Sequence, residues 1–364
     1  MKNRVTKLLI GIAVLIILGL IIFIVSAEIA AAPEQAAAEE SLAIPAGDQP
    51  PINALPESPS VTTLVFGGDV MLSRVVGQKM AKYGDWTWPF LNVAPVMSAG
   101  DLAIINLESP FTNGGNHLVK TGSFSFNADP EAVAGLKLAG IDVVSLANNH
   151  ILNQGVKGIE DTKKILIANG IYSAGAGLNA DEAYQPAIKE INGLKFGFLG
   201  FAYPNDNSVA TASSAGLANL DIAAMVKAVT GLKARVDVVI ILMHAGTEYV
   251  SRPNGQQTAF ARAAIDAGAD LIIGHHPHWT QTTEIYRGKP ILYSLGNLIF
   301  DQMWSTETQE GALARAVWVD KKLEKIEIIP IIIRDYGQAV ITTSTTERHR
   351  VLDRMGLENN TIEL

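Results

Sequence analysis

Five apolar runs in this chain each end on residues that can hold a metal ion. Leu64-Val65-Phe66-Gly67-Gly68 runs into Asp69, and Ala103-Ile104-Ile105-Asn106-Leu107 runs into Glu108. Val143-Val144-Ser145-Leu146-Ala147 leads to Asn148-Asn149-His150, and Val239-Ile240-Ile241-Leu242-Met243 leads to His244. Leu271-Ile272-Ile273-Gly274 leads to His275-His276-Pro277-His278. Imidazole, carboxylate and amide oxygen are the donors that divalent zinc, manganese or iron take.

Each of these residues also has a plainer reading. Asp69 after two glycines suits a turn or helix cap. Glu108 suits a solvated strand end, and Asn149 suits a left-handed turn position. His244 suits a hydrogen-bonded core histidine. Three imidazoles within His275-His276-Pro277-His278 are harder to place structurally, and the shared position at strand ends favours one common site. His117, in a Gly-rich loop, and His349, in a polar C-terminal segment, do not share that position.

The elements that must position these residues follow from the hydrophobic pattern. Short apolar runs predict strands over 63–70, 102–107, 143–146, 196–201, 238–243, 271–273, 291–294, 314–319 and 326–333. Amphipathic stretches predict helices over 129–139, 156–169, 221–235 and 256–267. The alternation predicts an α/β domain over 61–335 with largely buried sheets, and the late strands without helices predict some antiparallel pairing. In open α/β sheets ligands bind at the carboxyl ends of strands, where the candidate residues lie. The segment 336–364 reads as a polar, peripheral tail.

The chain has 364 residues, 48% of them hydrophobic, enough for a sizeable core. Its net charge is −8, without a run of Lys and Arg after the apolar start, so no nucleic-acid partner is expected. There is no cysteine, which excludes disulfides, a thiolate nucleophile and Cys-ligated metal, and suits an extracytoplasmic protein. Lys2, Arg4 and Lys7 precede an uncharged apolar stretch over 8–27. That length matches a bilayer's hydrocarbon core and exceeds the apolar region of a cleavable signal peptide. The reading is a cytoplasmic segment 1–7, an uncleaved anchor 8–27 and an extracytoplasmic remainder. The Ala-, Pro- and Glu-rich stretch 28–60 reads as a linker.

Six motifs in order resemble one family. They are Gly68-Asp69-Val70-Met71-Leu72, Asn106-Leu107-Glu108, Ala147-Asn148-Asn149-His150, His244-Ala245-Gly246-Thr247-Glu248, Gly274-His275-His276-Pro277-His278 and Ser294-Leu295-Gly296-Asn297-Leu298-Ile299-Phe300-Asp301. They are similar to the motifs of the CapA (PgsA) poly-γ-glutamate capsule biosynthesis family, within the calcineurin-like metallophosphoesterase superfamily. The resemblance spans about Thr62 to Asp320. It implies a four-layer α/β/β/α sandwich of two mixed sheets flanked by helices, with one or two divalent metals (Mn, Zn or Fe) at their shared edge.

It also implies roles. Asp69, Glu108, Asn149, His244, His276 and His278 would be metal ligands, and His150 the catalytic histidine that polarises substrate or protonates a leaving group. Glu248, Asn297 and His275 would support the ligating imidazoles. Arg74, Arg252 and Lys120 are cations available to an anionic substrate, though each equally suits an ordinary surface charge. Two positions depart from the superfamily pattern: Met71 stands where a histidine ligand is usual, and Glu108 where an aspartate bridges. The expected function is a metal-dependent hydrolase acting on an anionic polymer or phosphoester, or a non-catalytic polymer-binding subunit of a membrane synthesis or export complex.

Overall fold

The computed structural model describes residues 59–113, 124–203 and 208–364. The expected cytoplasmic segment 1–7, the anchor 8–27 and all but the end of the linker lie outside them, as do His117 and Lys120. Among the described residues no helix is long and apolar enough to cross a membrane.

In chain order the strands are β1 (Val61–Val70), β2 (Leu102–Leu107), β3 (Ile141–Ser145), β4 (Tyr172–Ala174), β5 (Ala176–Gly177), β6 (Ala187–Ile191), β7 (Leu194–Ala202), β8 (Gly216–Leu217) and β9 (Val238–His244). They continue with β10 (Leu271–His275), β11 (Thr283–Tyr286), β12 (Lys289–Leu292), β13 (Asn297–Ile299), β14 (Glu310–Val319), β15 (Lys322–Arg334), β16 (Gln338–Ile341) and β17 (Thr361–Glu363). The helices are α1 (Arg74–Tyr83), α2 (Ala94–Met97), α3 (Val133–Leu138), α4 (Gly155–Ala168), α5 (Ala180–Ala183), α6 (Ile222–Lys233), α7 (Gly255–Ala267), α8 (Thr306–Gln309) and α9 (Thr345–Met355).

The described strands make two mixed sheets and a small antiparallel pair of β5 with β8. One runs β16-β15-β14-β1-β2-β3-β4, with β13 also on β1 and β17 on β15; the other runs β11-β12-β10-β9-β7-β6. In the first, β1, β2, β3 and β4 are parallel and β14, β15 and β16 antiparallel. In the second, β7, β9, β10 and β12 are parallel.

Strand periodicity decides what each face covers. Leu64 and Phe66 of β1 join Ile104, Phe196, Phe198, Ile240, Leu242 and Trp318 in a core between the sheets. The intervening Val65 faces the other way, into a core with Val76, Met80, Leu136, Ile159 and Leu166 from the helices. Phe201, Val239 and Ile241 pack on Met225, Val229 and Phe260 of α6 and α7. Burying each such side chain contributes about 1.5–3 kcal/mol. Both faces of both sheets are therefore covered, which is why the strands read as continuous apolar runs.

The helix ends follow their cap residues. Asp221 accepts from Ala224 N at the start of α6. Asn254 and Gln257 form a reciprocal capping box at the start of α7, and Gly268 closes it with φ 116°. The expected helix over 129–139 begins instead as a tight turn at Pro130–Ala132 and becomes α-helical only at Val133–Leu138.

The expectation of a peripheral tail after Asp335 is corrected by the fold. β16 and β17 both pair with β15, and α9 lies against it. Val351, Leu352 and Met355 are buried in the core between the sheets. Buried Glu310 of β14 is held by Arg350 Nη2 at 2.5 Å and Arg354 Nη2 at 2.7 Å, both from α9. The polar residues that made this segment look peripheral are the outer face of an amphipathic helix.

Candidate metal centre

The site forms where the parallel strands of the two sheets end. Asp69 stands in register with Asn106 on β2 and with Asn297 on β13. His244 ends β9, in register with His275 at the end of β10. Gly68 lets the chain through: a Cβ there would lie 1.9 Å from Gly296 O, so only glycine allows Asp69 N to reach that carbonyl at 3.0 Å. Beyond β10 the chain turns sharply, with His276 at φ 97° and His278 at φ 59°. Such non-glycine positions cost backbone energy and persist only where surroundings hold them.

Asp69 and Glu108 are both fully buried, and one amide holds them together. Asn106 Nδ2 donates to Asp69 Oδ1 at 2.8 Å and to Glu108 Oε2 at 3.1 Å, and stands 3.2 Å from His244 Nδ1. Asn148 Nδ2 fixes that amide by donating to Asn106 Oδ1 at 3.2 Å. His276 N donates to Asp69 Oδ2 at 3.1 Å.

The protonation of the imidazoles follows from their partners. Phe126 N donates to Asn153 Oδ1, so this oxygen also accepts from His150 Nδ1 at 2.9 Å. His150 Nε2 then carries a lone pair, which accepts from Asn149 Nδ2 at 3.1 Å. Asn149 thereby presents Oδ1 to His244 Nε2 at 2.8 Å, leaving His244 Nδ1 unprotonated. On the other side Asn297 Nδ2 donates to Gln302 Oε1 at 3.0 Å and to Thr308 O at 2.9 Å. Asn297 Oδ1 therefore accepts from His278 Nδ1 at 2.9 Å, and His278 Nε2 is unprotonated.

Atoms that can only accept thus face one another. Asp69 Oδ1 is 4.0 Å from His244 Nδ1, and Glu108 Oε1 is 4.0 Å from His278 Nε2 and 3.8 Å from His150 Nε2. Ligand atoms of Asp69, Glu108 and His244 all lie within 4.8 Å of one another. Among the described residues, Glu108 Oε1 and His276 Nδ1 are buried with no hydrogen-bond partner. Buried lone pairs without donors are costly unless protons or a cation satisfy them. Burial pushes the Asp69 carboxyl up to about 7, and burial plus the Asp69 charge raises Glu108 well above the carboxylate range. Burial drives His150 and His276 down to about 4, His278 to about 3 and His244 well below its ordinary value. Neutral imidazoles beside two carboxylates fit a divalent cation.

The expected residues do not all converge. The His276 ring lies 4.7 Å from that of His244 and 6.2 Å from that of His278. Asn149 bonds His244 and His150, as above. His275 Nε2 contacts Gly67 O at 3.2 Å, so it ties β10 to β1. Glu248 is exposed at the rim of a cavity of about 370 Å³ over the cluster. Arg74 lines that cavity, ion-paired with Asp301 and stacked 4.9 Å from the Phe126 ring, whereas Arg252 is exposed. Met71 Sδ accepts from Ser73 N at 3.1 Å and is fully buried.

Asn106 was missed, although a signal existed. It is the one polar residue within an apolar strand, and two positions before Glu108 it must share that residue's side of the chain. Asn153, Tyr249 and Gln302 lie in loops where no pattern points to them.

A family model described as bacterial capsule synthesis protein PGA_cap matches residues 63–302, a span holding Asp69, Glu108, His150, His244 and His278. The capsule biosynthesis protein CapA of Bacillus anthracis is 32% identical over 296 residues, covering 79% of this chain and 71% of that one. The PGA biosynthesis protein CapA of Bacillus subtilis (strain 168) is 30% identical over 305 residues, covering 83% and 80%. A solved structure of a hypothetical protein from Thermus thermophilus is 14% identical with a TM-score of 0.46, covering 76% of this chain and all of that one. The family model takes in well over half of the chain, and both Bacillus relatives align along most of their own length. This chain therefore belongs to the bacterial capsule synthesis family PGA_cap, the family of the CapA proteins.

Proposed function

We propose that this protein is a membrane-anchored, extracytoplasmic hydrolase that uses a divalent metal in making or processing poly-γ-glutamate or a related anionic polymer. The carrying observation is the buried Asp69, Glu108 and His244 group beneath a cavity that His150 and His278 also line. The names of the two Bacillus relatives support the polymer assignment. Two covered sheets meeting at a ligand edge suit a four-layer α/β/β/α, metallophosphoesterase-like arrangement.

Asp69, Glu108, His244, His276 and His278 would hold one or two ions, with manganese, zinc and iron all suited to the donors. Asn149 can join them by releasing His244. A divalent ion there supplies a Lewis acid and an acidified water. The protein's own residues do the rest. Asn106 keeps the two carboxylates apart from solvent and aligned. Asn297 fixes the His278 tautomer, as partners of ligating imidazoles do. Asn153 fixes that of His150, leaving Nε2 as the unprotonated nitrogen that can take up a proton at the site.

A second reading, a non-catalytic polymer-binding subunit of a membrane complex, has one observation in its favour. Met71 stands where the superfamily places an imidazole, and its sulfur is engaged by Ser73 N. One test addresses both readings. The full chain is purified in detergent, its metal content measured, and hydrolysis of poly-γ-glutamate and an activated phosphoester assayed. Metal with turnover that His244→Ala and His278→Ala abolish supports the hydrolase. Metal without turnover favours the binding subunit, and no metal refutes the hydrolase. Recovery of an intact 8–25 peptide from membranes, and external protease access to the rest, tests the anchor and its orientation.

A further inference from the structure

Beside the candidate centre one strained residue has no assigned task. Tyr249 sits at φ 61°, a position that a bulky side chain rarely adopts. Its loop is pinned to the loop carrying His276 and His278. Tyr249 N donates to Pro277 O at 2.9 Å, and Thr282 N donates to Ser251 O at 3.2 Å. Buried Gln281 donates through Nε2 to Val250 O at 2.9 Å and to Arg252 O at 3.2 Å, and its Oε1 accepts from Gln257 Nε2. These bonds hold the strain in place. They lay the phenol ring along His278, with centroids 5.9 Å apart and planes 25° apart, and set it edge-on to Trp304.

The direction of the hydroxyl follows from the same chain that fixes His278. Asn297 Nδ2 donates to Gln302 Oε1, so Gln302 Nε2 faces outward and donates to Tyr249 Oη at 3.4 Å. The phenol oxygen is then an acceptor on its inner side, and its own proton points toward the cavity and its rim. Burial and the neighbouring Glu248 carboxylate raise the phenol above its ordinary range, so it keeps that proton. Tyr249 lines the cavity with Arg74, His150 and His278.

We propose that Tyr249 is a substrate-binding residue of this site, donating its phenolic proton to an oxygen of the bound anionic group, with Gln302 setting the direction of that bond. The exposed Glu248 carboxylate at the same rim is the neighbour that would compete with a ligand oxygen for that proton. The proposal rests on the metal-centre reading for its location, but its readout is separate. Donor bonds to charged oxygens are the stronger class, so loss of one weakens binding about tenfold.

The test uses the full chain loaded with Mn²⁺, with inorganic phosphate as the probe, titrated calorimetrically. Tyr249→Phe keeps the ring, its stacking on His278 and its contact with Trp304, and removes only the hydroxyl. The expected result is unchanged metal content and melting temperature with about tenfold weaker phosphate binding. Phosphate affinity equal to the parent's overturns the proposal, because a packing role would survive in phenylalanine. A parent protein that holds manganese yet does not bind phosphate also overturns it. Failure to hold manganese instead counts against the metal centre. Glu248→Gln provides a second arm: with a weaker competitor for the phenol, phosphate binding tightens in the parent background. It tightens less when combined with Tyr249→Phe, and equal tightening in both refutes the competition.

Discussion

Asn106→Leu removes the amide shared by Asp69 and Glu108 while keeping the branched side-chain shape. Nδ2 donates to the two carboxylates at 2.8 and 3.1 Å, and all three side chains are fully buried. A hydrogen bond to a charged group is worth about 1.5–3 kcal/mol, and with Glu108 raised well above the carboxylate range only the Asp69 bond counts as charged, so the ion-free protein should lose roughly 1.5–3 kcal/mol once Asp69 is ionised. The pH dependence has a definite sign. The Asp69 carboxyl is raised from 3.8 to about 7 in the folded protein, so it is charged in the fold only above about 7. The loss should therefore be largest above pH 7 and shrink as pH falls through that value. Metal affinity should fall about 10- to 100-fold, as when the partners of ligands are removed elsewhere. Urea unfolding of chelator-treated protein at pH 8 and 5.5, with competition against a chromogenic chelator, measures both effects. Unchanged metal affinity, or a loss that grows at acid pH, would refute this account of Asn106.

Chelator-stripped protein should lose stability as pH falls from about 6.5 toward 4. His150, His275 and His276 are lowered from 6.5 to about 4 and His278 to about 3, so the unfolded chain takes up protons first. Raised Asp69 and Glu108 oppose this but are outnumbered; chemical denaturation across pH gives the slope. His278→Ala should abolish metal binding, whereas His275→Ala, whose Nε2 contacts Gly67 O, should leave metal content near normal; elemental analysis separates them. Glu310→Gln should cost about 3 kcal/mol by breaking the buried pair with Arg354, read from urea midpoints, and leave metal content unchanged.

The sequence was most informative where one physical demand dominated. Runs such as Val239 to Met243 are buried on both faces, so their apolarity marks the strands and the abrupt arrival of His244 marks their ends. Elements whose burial is shared with polar work were harder to see. β13 holds only Asn297, Leu298 and Ile299, and its pairing with β1 depends on the close approach at Gly68, a tertiary fact. The C-terminal helix was hidden because Arg350 and Arg354 look like solvent charges until Glu310, forty residues earlier, is placed beneath them. At the site, residue types and strand ends pointed to residues that the fold brings together, Asp69, Glu108 and His244. Which nitrogen of each histidine holds a proton depended on Asn153, Asn149 and Gln302, whose partners no spacing rule supplies.

Asp69 and Glu108 come from one sheet, and His244 and His278 from the other. An ion held among them would act as a rivet across the seam. Neither sheet alone carries the full set of candidate donors, so an ability to capture metal would appear only when the two halves dock. In a refolding experiment, ion uptake would then serve as a clock for that docking step, distinct from the earlier signal of strand and helix formation. A mutation far from any donor that loosens the packing of Phe66, Phe198 or Trp318 between the sheets would register as a slower or weaker capture of the ion.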